Sequence, residues 1–193
     1  MLQATVFADA TFDPERKPAI DFGLELVGAQ LTTMGGIAVR HYNIGGSLPM
    51  LNSRQVDGPR VLGALPAWRN KALEVFVTGK DLGHPQVNFI YGMSQFGEGK
   101  AIFSHSRYTE EEDVALAALV AHEVGHSLGL VNPAKPNYDR RNRFAGHCAN
   151  VCLMQAVNNK AEALQAAQTI VTMPKTSGFC GDCTSHLQAF KTI

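Results

Sequence analysis

One predicted helix constrains the fold of this chain more than any other segment, because apolar residues occur on all of its faces. Thr109 is followed three residues later by Glu112, which is the spacing of a capping box, so the helix is expected to begin here. The apolar pattern continues to about Leu128 and stops at Gly129, a residue type that commonly ends helices. A helix that is apolar all round is buried in the protein interior.

The same helix carries two histidines and a glutamate in the order His122-Glu123-Val124-Gly125-His126. Positions four apart lie on one face of a helix, so the two imidazoles can bind a single Zn²⁺. Glu123 is offset and can take a proton from a water molecule whose pKa the metal lowers to roughly 7. Two buried histidines could be satisfied by other partners, but one metal ion serves both. The motif therefore predicts a hydrolytic zinc site with Glu123 as general base.

The third ligand of this site must come from outside the helix. In an extended zinc-protease pattern a third histidine lies three residues after the glycine, but Asn132, a poor zinc ligand, occupies that position. His147 is the best candidate because it follows a loop and directly precedes a cysteine. His105, at the end of a predicted strand, is the alternative. We predict that His122, His126 and His147 hold the catalytic zinc.

All four cysteines lie in the last quarter of the chain, as two closely spaced pairs. Two such pairs can close a tetrahedral thiolate site, which links chain segments and leaves no open position for catalysis. Two disulfides, or a redox-active C-x-x-C pair, are the alternatives. The paired spacings favour a structural zinc, with the ligands Cys148, Cys152, Cys180 and Cys183.

Three further side chains are candidates for a role at the catalytic site. A methionine is more often a core filler, but Met154 follows His147 closely, as expected of a methionine turn that supports the metal site from below. Tyr108 or Tyr138 could donate a hydrogen bond to an oxyanion, and their spacing selects neither.

The rest of the chain predicts a mixture of helices and strands, and we classify the fold as α+β, close to α/β. Further helices are predicted at 18–34, 61–71, 158–171 and 183–191. Strands are predicted at 36–44, 72–79, 87–93 and 100–106, the last two forming a hairpin. We expect one catalytic domain made of two subdomains, 1–130 with the sheet and zinc helix, and 131–193 with the third ligand and the cysteine site.

Composition excludes several classes of partner. Lys plus Arg and Asp plus Glu number 17 each among 193 residues, so no overall field favours nucleic acid or an anionic membrane. No stretch is apolar enough to span a bilayer, and the first ten residues include Asp9 and no basic region, unlike a signal peptide. We expect a cytoplasmic monomer that acts on a peptide or protein.

Taken in order, the motif residues resemble the archaemetzincins. In that family the third histidine is followed at once by a cysteine, a second cysteine precedes the Met-turn methionine by two positions, and a C-x-x-C pair comes later. The matching residues here are His147-Cys148, Cys152-x-Met154 and Cys180-x-x-Cys183. The resemblance covers residues 122–183. It implies one catalytic and one structural zinc in a metzincin fold, whose twisted mixed sheet and zinc helix lie above a smaller C-terminal subdomain.

Two features depart from the family pattern. Residues 132–146 are inserted before His147, and the first cysteine pair is one residue closer than usual. The insertion suggests a distinct subgroup with an altered cleft rim. By the resemblance, residues 100–105 would form the edge strand over the cleft, where an extended peptide could pair with free backbone groups.

The sequence thus predicts a zinc-dependent metallopeptidase. Two alternatives from other classes stay open: a catalytically silent zinc-binding interaction domain, and a zinc hydrolase of a non-peptide amide. The presence of Glu123 speaks against the silent domain, since a scaffold needs no general base.

Overall fold

The structure, a computed structural model, describes residues 1–66, 72–141, 146–157 and 159–190. The strands are β1 (Leu2–Ala8), β2 (Ile37–Asn43), β3 (Gln55–Asp57), β4 (Ala72–Thr78), β5 (Asp81–His84), β6 (Val87–Ile90), β7 (Gly92–Gln95) and β8 (Lys100–Ser104). The α-helices are α1 (Lys17–Gly28), α2 (Gly58–Ala64), α3 (Asp113–Ser127), α4 (Lys160–Thr172) and α5 (Gly181–Ala189). Single 3₁₀ turns are formed by Pro14–Arg16, Thr32–Met34, Glu110–Glu112 and Pro174–Thr176.

The main sheet is mixed and twisted, as the resemblance to the archaemetzincins implied. Its five strands lie in the order β2-β1-β4-β8-β7. The first four are parallel, and β7 pairs antiparallel with β8. The prediction that residues 100–105 form the edge strand is wrong, because the chain enters β7 first and lays it outside β8 before turning back. The edge strand beside helix α3 is therefore β7.

Side chains of the main sheet alternate between two hydrophobic cores, as the pleat of a strand requires. On β4, Val75 and Val77 belong to the larger core, which the helices α1 and α3 cover. Phe76, between them, belongs to a smaller core on the other face, together with residues of α2 such as Val61. A second sheet, ordered β3-β5-β6, supplies Val56 to this smaller core. Helix α3 therefore lies on a sheet whose opposite face is also covered.

Helix α3 has both ends that the sequence predicted. The capping box is formed, with the Thr109 backbone N–H donating to Glu112 at 2.8 Å, and a 3₁₀ turn leads into the helix. At the other end Gly129 has a φ of 79°, and the N–H of Leu130 donates to the carbonyl of Gly125. The N–H of Gly129 donates to the carbonyl of His126, and the two bonds form a Schellman motif, which ends the helix and turns the chain sharply. Nearly all of α3 is buried, so it lies inside the fold as expected.

Other predicted elements are shifted or divided. The strand predicted at 87–93 is two strands, β6 in the small sheet and β7 in the main one. The helix predicted at 18–34 ends at Gly28, with a separate 3₁₀ turn after it. The helix predicted at 61–71 begins at Gly58 and ends at Ala64, and residues 67–71 lie outside the described part of the chain.

The segment after α3 carries few regular elements until α4. Within its described residues 131–141 and 146–157, an isolated antiparallel bridge joins Tyr138 to Cys148. Helices α4 and α5 then follow, at the places predicted for the last two helices. Among the described residues, we find no helix with the length and apolarity needed to cross a bilayer.

Candidate metal centre and active site

Three histidines converge at one point beside α3. The Nε2 atoms of His122 and His126 lie 3.0 Å apart, and one ring nitrogen from each of His122, His126 and His147 lies within 4.8 Å of the others. In a tetrahedral zinc site with Zn–N bonds near 2.05 Å, ligand nitrogens are separated by roughly 3.3 Å. The donor set and its spacing therefore fit a zinc ion.

The buried histidine rings are held in the form that a metal needs. The Nδ1–H of His122 donates to the Leu153 carbonyl at 2.6 Å, which leaves the Nε2 lone pair facing His126. Burial, and then the nearby His147, lower the pKa of His122 to about 4. Burial is also the main cause that lowers the pKa of His126. Both imidazoles are thus neutral at pH 7 and have a lone pair available for a cation.

The loop after α3 brings His147 to the two helical histidines. The N–H of Asp139 donates to the His147 carbonyl at 2.8 Å, so the loop pairs with itself at this point. The His147 ring lies 5.3 Å from the His122 ring and 5.1 Å from the His126 ring, measured between centroids. Asn132, at the position of the strict motif, instead accepts from the N–H of Ala134 in a local turn.

His105, the alternative third ligand in the sequence, lies elsewhere. Its Nε2 accepts a hydrogen bond from the backbone N–H of Asp13 at 3.2 Å. Its ring packs edge-on against Phe12, with centroids 5.5 Å apart. It is not among the three histidines that converge. The geometry therefore groups His147, rather than His105, with the helical pair.

Glu123 lies beside this histidine group and is buried. The Ser94 hydroxyl on β7 donates to Glu123 Oε2 at 2.9 Å. Burial raises the pKa of Glu123 to about 7, and the Ser94 hydrogen bond opposes the rise. A carboxyl group with such a pKa can accept and return a proton near neutral pH.

A cleft of about 860 Å³ opens over the histidines and Glu123. It is lined by β6 and β7, by α3, and by small or apolar residues of the α4 region such as Val157, Ala163 and Ala166. Tyr108 also lines it, and its buried hydroxyl has no hydrogen-bond partner among the described residues. Burial raises the pKa of Tyr108 far above its ordinary value, so the phenol stays protonated as a donor. Of the two tyrosines that the sequence offered as oxyanion donors, the structure therefore places Tyr108 at the cleft.

The four cysteines form a second group that fits a metal. The Sγ atoms of Cys148 and Cys180 are 3.7 Å apart and those of Cys152 and Cys183 are 4.0 Å apart. All four sulfurs lie within 4.8 Å of one another. Tetrahedral zinc with Zn–S bonds near 2.3 Å separates its sulfurs by roughly 3.8 Å, whereas a disulfide needs about 2.05 Å. The cysteines are free, which disfavours the disulfide alternative.

Met154 lies against helix α3. It is fully buried, and its Sδ packs against the backbone of α3 at Gly125, between the two helical histidines. Its carbonyl accepts from the N–H of Cys148 at 2.8 Å. Met154 thus contacts both the helix and the segment that carries His147.

Sequence reasoning missed two polar residues of these sites. Ser94 bonds Glu123, but a serine in a short strand carries no sequence signal of that role. Asn137, in the loop before His147, donates from its side chain to the sulfurs of Cys148 and Cys183 at 3.2 Å each. An asparagine in a polar loop is typical of a turn, so its contact with the cysteines could not be anticipated.

Comparison with known proteins shows a sequence similarity to one curated protein. The archaemetzincin of Archaeoglobus fulgidus is 27% identical over 139 residues, 70% of each protein. No protein-family model matches the chain.

Solved structures show the same fold. The crystal structure of archaemetzincin from Methanopyrus kandleri superposes with a TM-score of 0.69 and 19% identity, covering 96% of this chain and 93% of that one. The Archaeoglobus fulgidus archaemetzincin structure gives 0.62 at 23% identity, covering 94% and 98%. A zinc-dependent peptidase from Methanocorpusculum labreanum gives 0.60 at 23% identity, covering 96% and 100%. The resemblance predicted from the motifs is confirmed, and the chain is archaemetzincin-like in sequence and in fold.

Proposed function

We propose that this chain is a zinc-dependent metallopeptidase with Glu123 as its general base. The observation that carries the proposal is the burial of the Glu123 carboxyl directly beside three converging histidines, at the floor of an open cleft. The names of the relatives, archaemetzincin and zinc-dependent peptidase, support the same activity.

In this proposal His122, His126 and His147 hold the catalytic zinc. Bound there, zinc would polarise the carbonyl under attack and lower the pKa of a water molecule. Glu123 accepts the proton of the attacking water and later returns it to the leaving amine. The Ser94 hydroxyl keeps one carboxylate oxygen oriented, and the neutral tautomer of His122 is fixed by Leu153. Met154 supports the helix from below.

We further propose that the substrate is an extended peptide bound along β7. This strand is hydrogen-bonded to β8 on one side, and its residues Gly92–Ser94 line the cleft. An extended peptide can pair with the backbone of an edge strand, with side chains of alternate residues entering the cleft. We therefore assign the peptide-binding edge to β7 and not to residues 100–105.

The four cysteines would hold a structural zinc in the smaller part of the molecule. Residues 1–130 would then supply the sheet, the cleft wall and two histidines, and residues 131–193 the third histidine and the cysteine site. A fully thiolate-coordinated zinc has no open position, so its contribution is to link the loop at Cys148 and Cys152 to the start of α5.

A peptide-library assay tests the activity. Wild type, Glu123→Gln and the surface control Glu111→Gln are incubated with the library, and new termini are identified by mass spectrometry. We expect Glu123→Gln to lose roughly 10²–10⁴-fold in rate while the control keeps full activity. Equal rates in wild type and Glu123→Gln, or no turnover by a metal-loaded wild type, would overturn the proposal and favour a binding domain or another amide substrate.

Metal counting tests the ligand assignment. We expect one zinc at the histidines and one at the cysteines, measured by elemental analysis and native mass spectrometry. Cys180→Ser should remove one ion, and His147→Ala should lower occupancy of the other. His105→Ala is the matched control, since His105 bonds Asp13 instead, and it should keep both ions. Retention of full occupancy by His147→Ala would contradict the assignment.

A further inference from the structure

Asn137 is a buried residue in the loop before His147, and its side chain contacts both cysteine pairs. Its side-chain amide donates to Cys148 Sγ and to Cys183 Sγ, at 3.2 Å in each case. Cys148 belongs to the first cysteine pair, in the loop before α4, and Cys183 belongs to the second pair and lies in the first turn of α5. Only 5% of Asn137 is exposed, so these hydrogen bonds are shielded from water. One amide group thus joins the two segments that the cysteines bring together.

The backbone around Asn137 also fixes the segment that carries His147. The Asn137 carbonyl accepts from the N–H of Ala149, and the N–H of Asp139 donates to the His147 carbonyl, both at 2.8 Å. Between these bonds, Tyr138 forms its bridge with Cys148. Residues 137–139 therefore run antiparallel to 147–149 and hold His147 and Cys148 in register. Residues 137–139 are therefore hydrogen-bonded to the segment that carries a member of each candidate metal-binding group, His147 and Cys148.

Hydrogen bonds to thiolates have a defined physical effect. Four thiolates around one divalent cation carry a net charge of about −2, which is costly to bury without donors. N–H donors aimed at the sulfurs stabilise that charge and orient the ligands, as outer-shell partners do at metal sites generally. Asn150 offers a weaker version of the contact. It is exposed, reaches Cys180 Sγ at 3.5 Å, and also donates to Asp182.

We propose that Asn137 is a positioning residue that couples the cysteine metal site to the histidine site. Its amide stabilises the thiolates of Cys148 and Cys183, and its backbone holds His147 toward the catalytic helix. Loss of the amide then loosens the cysteine site first and the position of His147 second. The inference rests on the structural metal in the proposed function, and not on peptidase activity.

Cobalt(II) is the probe for the test, because its bonds to thiolate give a charge-transfer band that histidine ligands do not. Wild type, Asn137→Leu and the control Asn43→Ala, at an exposed position of β2, are loaded with cobalt, and the band and the rate of metal release to a chelator are recorded. Leucine keeps the volume of Asn137 and removes both donors. We expect the band of Asn137→Leu to shift to lower energy, because sulfur lone pairs without donors are more easily ionised. Its cysteine site should release metal roughly tenfold faster or more.

The coupling has its own measurement, the zinc affinity of the histidine site by competition with a chelator. We expect a several-fold loss in Asn137→Leu and in Cys180→Ser, and little change in the control Asn43→Ala. If Asn137→Leu does not fold, as judged by circular dichroism, Asn137→Ala takes its place.

Each contrary result has a separate meaning. An unchanged cobalt band and release rate in Asn137→Leu would overturn the role of the amide. An unchanged affinity of the histidine site would overturn the coupling. Absence of a thiolate-to-cobalt band in wild type would instead refute the cysteine metal site on which the inference rests.

Discussion

The sulfur of Met154 occupies the space in which a side chain on Gly125 would lie. A Cβ built on Gly125 would come within 2.5 Å of Met154 Sδ, a distance that nonbonded atoms do not reach. Gly125 stands between His122 and His126 on α3, and Met154 follows His147 along the chain. This contact, together with the hydrogen bond from His122 to the Leu153 carbonyl, fixes the position of the helical histidines relative to the segment that carries His147.

Substitution of Gly125 by alanine should disturb this contact. Gly→Ala normally stabilises a helix by about 0.5–1 kcal/mol, but here the added methyl group must displace Met154. Overpacking of this kind costs about 1–3 kcal/mol, so we expect a net loss of stability in urea unfolding of the metal-free protein. Zinc affinity of the histidine site should fall as well. Gly63→Ala in α2 is the matched control, since its Cβ would meet no atom within 4 Å, and it should be neutral or stabilising.

Helix α3 was predictable because the residues that specify it lie close together in the sequence. The capping box, the terminal glycine and the spacing of His122, Glu123 and His126 all lie within α3 and its ends. The archaemetzincin-like resemblance was equally accessible, since it depends on short motifs in order along the chain. The convergence of the cysteines follows the same logic, because close sequence spacing brings each pair together before the fold unites them.

The cleft wall was not predictable, because it depends on how strands pair. Residues 87–93 resemble one continuous strand, yet the chain divides there and β7 crosses to the edge of the main sheet. That division puts Ser94 beside Glu123 and makes β7, rather than β8, the edge. Asn137 was hidden for the same reason, since its contacts are with residues that only the folded chain brings near.

Replacement of Glu123 by glutamine should stabilise the metal-free protein in a pH-dependent way. Burial raises the pKa of Glu123 from 4.5 to about 7, so the folded state binds more protons than the unfolded state between these values. Ionised Glu123 therefore lowers stability progressively as the pH rises through this window, and fully so above it. Glutamine has no charge to bury and can accept the Ser94 hydrogen bond through its carbonyl.

The expected gain is about 2–3 kcal/mol at pH 8 and close to zero at pH 4.5, measured by urea unfolding in the presence of a chelator. The comparison between the two pH values is the internal control. A gain of equal size at both would show that the charge of Glu123 is not its cause. Added zinc should reduce the difference, because a cation beside the carboxylate stabilises its charged form.

Removal of the Ser94 hydroxyl should shift the pH profile of hydrolysis. The hydroxyl donates to Glu123 Oε2 and lowers the pKa of that carboxyl, so Ser94→Ala should raise it. A general base must be ionised to act, and the rising acidic limb of kcat/KM should therefore move to higher pH, by roughly half a unit to one unit. Ser53→Ala, at an exposed position, should leave the profile in place. A uniform loss of rate without a shift would mean that Ser94 only shapes the cleft.

Tyr108→Phe should raise the stability of the protein and show whether the hydroxyl takes part in substrate binding. The Tyr108 hydroxyl is buried at the cleft without a partner among the described residues, and an unsatisfied buried hydroxyl costs about 1–3 kcal/mol. The phenylalanine variant keeps the ring contact with Tyr91 and should be more stable than wild type in thermal unfolding. If the hydroxyl serves a bound peptide, the same change should raise KM or alter the cleavage preferences in the peptide library. A variant that is more stable but cleaves the same peptides with unchanged kinetics would show that the hydroxyl takes no part in substrate binding.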